Sequence, residues 1–174
     1  TVAATGTVAV TIDDDMPRAV EGSSTGTVDE DGLANGITIG QPGDVAGAAL
    51  TATGSVASLF QSGADTPLTY SFNPGVALPV GLTSNQIALT YVVTANLITA
   101  TAGPGGAAVF TMALDPATGV WTFTLQGVLD HATAGTEDDI TINFGPLVQA
   151  TDDDGDTVAA TGTVAVTIDD DMPR

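Results

Sequence analysis

The first eighteen residues, TVAATGTVAVTIDDDMPR, return letter for letter as residues 157–174, an offset of 156 residues. Two unrelated segments of that length do not coincide by chance. The chain therefore reads as one period of a tandem array, preceded by the tail of the period before it. Periods of about 20–50 residues stack into solenoids; one this long is a whole domain, so the array is a string of separately folded units. Residues 1–18 are expected to be the last strand and acidic linker of a preceding copy. Residues 19–168 would be the repeat domain, and 169–174 the linker to the next copy.

Charge narrows the partners. The formal net charge is −19, lysine is absent, and the only basic side chains besides one histidine are Arg18 and Arg174, the same repeat position met twice. Nucleic acid and anionic membrane surfaces both need Lys and Arg, so neither is an expected partner. No run is long and apolar enough to span a bilayer, and no signal peptide is visible. With 43% hydrophobic residues and a mean hydropathy of +0.30, this is not a disordered acidic tail. Cysteine is absent, so disulfides do not hold the fold together.

Helical apolar spacing is not sustained, whereas period-two alternation is clear. Val158, Ala160, Val164, Val166 and Ile168 share one side of a strand over 157–168. Trp121, Phe123 and Leu125 share a face in 120–126, and Phe110, Met112 and Leu114 in 108–114. The turn DPATG between them predicts a hairpin. Ile87, Leu89, Tyr91, Val93 and Leu97 predict one long strand over 86–99. Leu68, Tyr70 and Phe72 predict another at 67–72. A strand from Ile140 through Phe144 is expected to bend at Gly145-Pro146. Shorter candidates lie at 25–28, 36–39 and 48–60. The expected fold is all-β, an antiparallel Ig-like or cadherin-like β-sandwich.

Sixteen of the 21 acidic residues fall in five clusters: Asp13, Asp14 and Asp15; Asp29, Glu30 and Asp31; Glu137, Asp138 and Asp139; Asp152, Asp153, Asp154 and Asp156 around Gly155; and Asp169, Asp170 and Asp171. Two unit charges ~4 Å apart repel by roughly 4 kcal/mol at an effective dielectric of ~20. Without lysine, a hard cation is the natural remedy, and calcium takes ~6–8 oxygens in irregular geometry. Acids at alternate positions 152, 154 and 156, with Gly155 allowing the bend, suit it. The strand order expected here places 13–15 and 152–156 at one pole of the sandwich. Residues 130–139 and 169–171, joined by the 29–31 turn, would sit at the other. Each joint between copies would then be lined by carboxylates. A solvated surface or salt adaptation would scatter acids instead. For 29–31 and 137–139, ordinary turn acids remain an equal alternative.

The runs VDEDGLANG, LQGVLDHATAGTEDDITINF and ATDDDGDTVAATGTVAVTIDDDMP resemble the long tandem repeats of type-I-secreted RTX adhesins of Gram-negative bacteria. The resemblance covers roughly residues 28–174, although 40–105 is generic. It implies an extender role: calcium-bound sandwiches that hold a distal binding domain away from the cell surface, supporting adhesion and biofilm formation. It further implies that Asp152, Asp154, Asp156 and the linker acids are ligands, and that neighbouring identical repeats are the partners. TIDDDMP is also similar to the acidic linker between cadherin repeats, without the asparagines.

His131 beside Asp130 lacks a nucleophile, and a locally bonded turn residue is the expected role; a zinc site needs more than one histidine. Trp121, Tyr70 and Tyr91 alternate in register with apolar neighbours and are expected in the core rather than stacked on a sugar. An enzyme is not expected. A strand-exchanging filament subunit, built through 1–12, and a carbohydrate- or protein-binding module using loops 61–66, 73–85 or 101–106 are the other two classes.

Overall fold

The structure, a computed structural model, describes residues 6–37, 48–132 and 138–171. It is an all-β sandwich with no α-helix among the described residues. Its strands are β1 (Arg18–Ala19), β2 (Ser23–Asp29), β3 (Thr51–Ser55), β4 (Phe60–Gln61), β5 (Thr69–Phe72), β6 (Thr83–Ser84) and β7 (Ile87–Val93). They continue as β8 (Leu97–Ala102), β9 (Ala108–Leu114), β10 (Val120–Leu125), β11 (Ile140–Asn143), β12 (Val148–Thr151), β13 (Thr157–Ala159) and β14 (Thr163–Asp169). One layer is the antiparallel sheet β3-β10-β9-β8-β7-β6. The other is formed by β11-β14-β2 and β13-β12-β5, with β1-β4 as a short ladder.

Alternation decides which side chains meet between the layers. Trp121, Phe123 and Leu125 of β10 are buried, as are Phe110, Met112 and Leu114 of β9. Phe110 and Phe123 lie 5.0 Å apart, and Phe144 from the opposite layer packs 6.2 and 6.1 Å from them. Trp121 spans the gap further along and donates its indole N–H to Ser24 Oγ at 2.8 Å. Gly26 and Gly54 make its slot. A Cβ at Gly54 would stand 2.5 Å from Trp121 Cζ2, and one at Gly26 2.9 Å from Cη2. The β9–β10 hairpin closes on Asp115, whose Oδ1 accepts from the amides of Ala117 and Thr118, both at 2.9 Å. Those bonds, Thr118's first, hold its carboxyl below the usual value.

The structure differs from the sequence expectations in five places. The 48–60 candidate is not one strand but β3 and β4 with a 3-10 turn, Ala57–Leu59, between them. The long strand over 86–99 is two strands, because Thr94 N donates to the Leu97 carbonyl and Leu97 N to Thr94 Oγ1 across a tight turn. Apolar residues at 93 and 97 keep the period-two phase across that turn, which hides it. The strand over 157–168 divides at Gly162, where a Cβ would stand 2.7 Å from the Gly22 carbonyl. The sandwich is not wholly antiparallel: β2 and β14 pair in parallel, from Ser23–Thr163 to Asp29–Asp169. Segment 6–12 forms no strand, and its Val8, Val10 and Ile12 are 89%, 80% and 89% exposed. Their repeat equivalents Val164, Val166 and Ile168, seated between β11 and β2, are 0% exposed. The same letters form a strand only where a sheet receives them. The expected bend at Gly145-Pro146 is a 3-10 turn, Gly145–Leu147, between β11 and β12. Of the 36–39 candidate strand, 38 and 39 lie outside the described residues, as does Glu137.

Candidate functional site: two acidic poles

The near pole is built on the turn between β12 and β13. Asp152 is 5% exposed, and its Oδ1 accepts from the amides of Gly155 and Asp156 at 3.1 and 2.8 Å. Gly155 takes φ +110°, which suits glycine and closes the turn. This arrangement leaves Asp152 Oδ2 buried and, among the described residues, with no hydrogen bond while Asp154 is ionised. Carboxylate oxygens of Asp152, Asp154 and Asp156 converge within 4.8 Å, and so do those of Asp14, Asp65 and Asp154. Crowding is visible in the acidities. Asp154 is pushed up to about 6, first by sharing a hydrogen bond with Asp152, then by desolvation and the charges of Asp14, Asp152 and Asp156. Asp156 is raised chiefly by its hydrogen bond with Asp14. Asp15 fixes the incoming segment, its Oδ2 accepting from Ala64 N at 2.9 Å. Asp13 is exposed and lies outside both groups. Arg18 donates to Gln61, Nε at 2.8 Å, rather than to the adjacent aspartates.

The far pole follows from the parallel pair. Both β2 and β14 run into acidic residues, and parallel pairing sets those runs side by side at one end of the sheet. Asp29 Oδ1 caps a 3-10 turn, Glu30–Gly32, by accepting from Asp31 N at 2.8 Å. That turn tucks Glu30 and Asp31 inward, 2% and 3% exposed. Glu30 Oε1 accepts from Leu129 N at 2.7 Å, and Asp171 Oδ1 from Ile37 N at 3.1 Å. Burial raises Asp29, Asp169 and Asp170 above the usual carboxylate range. Asp139 adds to Asp169 by charge and by a shared hydrogen bond, and Glu30 and Asp138 add to Asp170, partly offset by His131. His131 Nε2 stands 3.7 Å from Glu30 Oε1 and 3.8 Å from Asp170 Oδ1. Burial works against charging that ring, but Glu30, Asp170 and the Asp138 carbonyl outweigh it and its pKa is raised.

Asp14, Asp152, Asp154 and Asp156 meet at the near pole, and Asp29, Glu30, Asp31, Asp138, Asp139 and Asp169 to Asp171 at the far one; Asp13 stands apart and Glu137 lies outside the described residues. The sequence reading missed Asp65, a lone acid in a Gly-rich loop, and the Glu30–His131–Asp170 grouping. The first carries no local signal, and the second needs the parallel pair. His131 does make the expected local bond, through Nδ1 to the Asp138 carbonyl. Trp121 and Tyr70 are core residues, and Tyr91 is half-buried against Phe110.

A pH dependence follows for the metal-free protein. Asp154, Asp156, Asp29, Asp169 and Asp170 all have folded pKa values above their unfolded ones. Between the unfolded value near 3.8 and the folded value of about 6 for Asp154, the native state binds more protons. Stability then falls as pH rises through that window. The raised His131 pulls in the same direction, since its contribution is lost as pH rises through its folded pKa. In EDTA, the melting midpoint is expected to be higher at pH 5 than at pH 7.5; an unchanged or lower midpoint at pH 5 contradicts this.

No helix among the described residues is long and apolar enough to cross a membrane. No curated protein and no solved structure matches the chain. A family model described as a domain of unknown function, DUF5801, matches residues 25–165, from β2 into β14. Because that match takes in most of the chain and nearly the whole sandwich, the chain belongs to the DUF5801 family.

Proposed function

We propose that this DUF5801 domain is a structural extender repeat of a large secreted bacterial adhesin, stiffened by calcium at the joints between copies. One observation carries the reading. Asp13, Asp14 and Asp15 are the same repeat positions as Asp169, Asp170 and Asp171. In one guise the triplet lies against the near pole, through Asp14 and Asp15; in the other it lies within the far pole. In consecutive copies a single triplet would do both, drawing the far pole of one domain against the near pole of the next. All-oxygen donor sets of this kind suit calcium. Asp14, Asp65, Asp152, Asp154 and Asp156 would hold it at the near pole. Asp29, Asp31, Asp139, Asp169 and Asp171 would hold it at the far one, with Asp138 alongside. The buried Asp152 Oδ2, without a donor when Asp154 is ionised, supports the same reading, because such an oxygen is costly without a partner.

The parallel β2–β14 pair supports a load-bearing role. Tension entering at the start of β2 and leaving at the end of β14 shears the seven residue pairs from Ser23–Thr163 to Asp29–Asp169 together instead of peeling them singly. The exposed Val8, Val10 and Ile12 fit the same picture, since in an array they would be covered by the copy they complete. Secretion to the cell surface, adhesion and the absence of catalysis belong to this reading.

Calorimetric titration tests it. Calcium is expected to bind with a Kd at or below about 1 mM. Asp152→Asn is expected to weaken the near-pole site at least about tenfold and leave the far pole unchanged, since the variant removes a charge from one donor set only. No heat at millimolar calcium, or an Asp152→Asn titration identical to wild type, would contradict the reading.

A further inference from the structure

The far pole contains a second donor set of different chemistry. His131 is the only histidine of the chain, and its side chain is 4% exposed. Nδ1 faces the Asp138 carbonyl, which can only accept, so Nδ1 carries the proton and Nε2 presents its lone pair in the neutral ring. Among the described residues, no hydrogen bond reaches that buried Nε2. It is aimed instead between Glu30 Oε1 and Asp170 Oδ1, at 3.7 and 3.8 Å. Those separations are too long for hydrogen bonds. Three donors fanned around one ion at about 2.1 Å stand roughly 3.4–3.6 Å apart; the two distances from Nε2 exceed that by only a few tenths of an ångström, and the three ligand atoms all lie within 4.8 Å of one another.

The geometry points to a transition-metal site of the zinc class at Glu30, His131 and Asp170, separate from the all-oxygen sets and beyond the extender role; the expectation that one histidine is too few for zinc left out the two carboxylates the fold brings to it, and carboxylate oxygens are zinc ligands as well. The donor set selects the metal. Calcium takes oxygen, while imidazole with carboxylate suits zinc and its neighbours. The surroundings are those of a held ligand. A histidine bound to metal usually donates its other ring N–H to a carbonyl or carboxylate, as Nδ1 does here. Glu30 Oε1 is likewise held by Leu129 N at 2.7 Å. The three residues come from three separate parts of the chain: the turn after β2, the residues following Leu129, and the residue after β14. An ion here would tie together the ends of β2 and β14 and the segment that follows Leu129.

The test uses the full chain, stripped of metal and returned to about 2 mM calcium, with zinc chloride as the probe. One equivalent of zinc is expected to bind in competition with a chromophoric chelator, undisplaced by the calcium. Loss of the ligand in His131→Gln is expected to weaken zinc at least by the roughly 10- to 100-fold that loss of an outer partner alone costs. Calcium binding should be unaffected. Because there is one imidazole, the ring nitrogens of the wild-type protein give an unambiguous NMR signature even if the variant fails to fold. Nε2 should shift to a metal-bound value on addition of zinc while Nδ1 stays protonated. Zinc that binds without moving Nε2, zinc displaced by millimolar calcium, or no zinc binding overturns the proposal. Calcium heats read the poles independently, so either proposal can fail without the other.

Discussion

Removing divalent metal is expected to lower the melting midpoint of this chain by roughly 7–14 °C at neutral pH. The estimate rests on linkage. A ligand that binds only the folded state stabilises it by RT ln(1 + [L]/Kd). With a Kd of about 0.1 mM, within the range of extracellular modules, ~2 mM calcium contributes about 1.8 kcal/mol per site. One site at each pole gives about 3.6 kcal/mol, and a domain of this size shifts by about 2–4 °C per kcal/mol. The physical source is crowding. Asp154 is pushed up to about 6 by its acidic neighbours, and Glu30 and Asp31 are buried among further carboxylates. Bound calcium would replace that repulsion with coordination. The shift should shrink towards pH 5, where protons neutralise the same oxygens. Differential scanning calorimetry with and without EGTA reads it directly, and coincident midpoints at pH 7.5 contradict it.

Trp121→Ala is expected to cost about 3–5 kcal/mol, the range for removing a large buried aromatic. Trp121 is fully buried and fills the slot between Gly26 and Gly54, where β2, β3 and β10 meet. Its loss opens a cavity across both layers and leaves Ser24 Oγ without the indole N–H. The backbone on either side is already in tight contact, so little collapse can refill the space. This loss should be equal in calcium and in EGTA, because Trp121 belongs to neither acidic pole. Urea unfolding in both buffers checks it. A cost below ~1.5 kcal/mol would show the slot relaxing, and a cost that depends on calcium would tie the core to the poles.

How much of this was readable from sequence differs by element. The hairpin of β9 and β10 was legible, because alternation and the Asp115 turn chemistry point the same way. The core aromatics Trp121, Phe123 and Phe144 followed from the same alternation. The β7–β8 turn was not, since Ala95 and Asn96 interrupt the pattern without breaking its phase. The clustering of acids at strand ends was visible as letters, and their assignment to two poles followed from counting strand directions. The parallel β2–β14 pair could not be seen that way. Parallel pairing of the first long strand with the last is a long-range choice with no local signature, and it brings Asp29 beside Asp169 and Glu30 within reach of His131. Gly26 and Gly54 look like weak strand residues in the sequence; the indole lying on both, with Ala52 Cβ against Gly26 and Ser24 Oγ against Gly54, explains their lack of a side chain.

A chain of two consecutive copies, labelled with a donor and an acceptor dye on the two sandwiches, tests the joint itself. Single-molecule distance distributions should be narrow in about 2 mM calcium and broaden several-fold in EGTA, with recovery on adding calcium back. Asp152→Asn in the second copy should leave the distribution broad in calcium. A distribution of the same width in calcium and in chelator would contradict the claim that metal held by one shared acidic triplet stiffens the array.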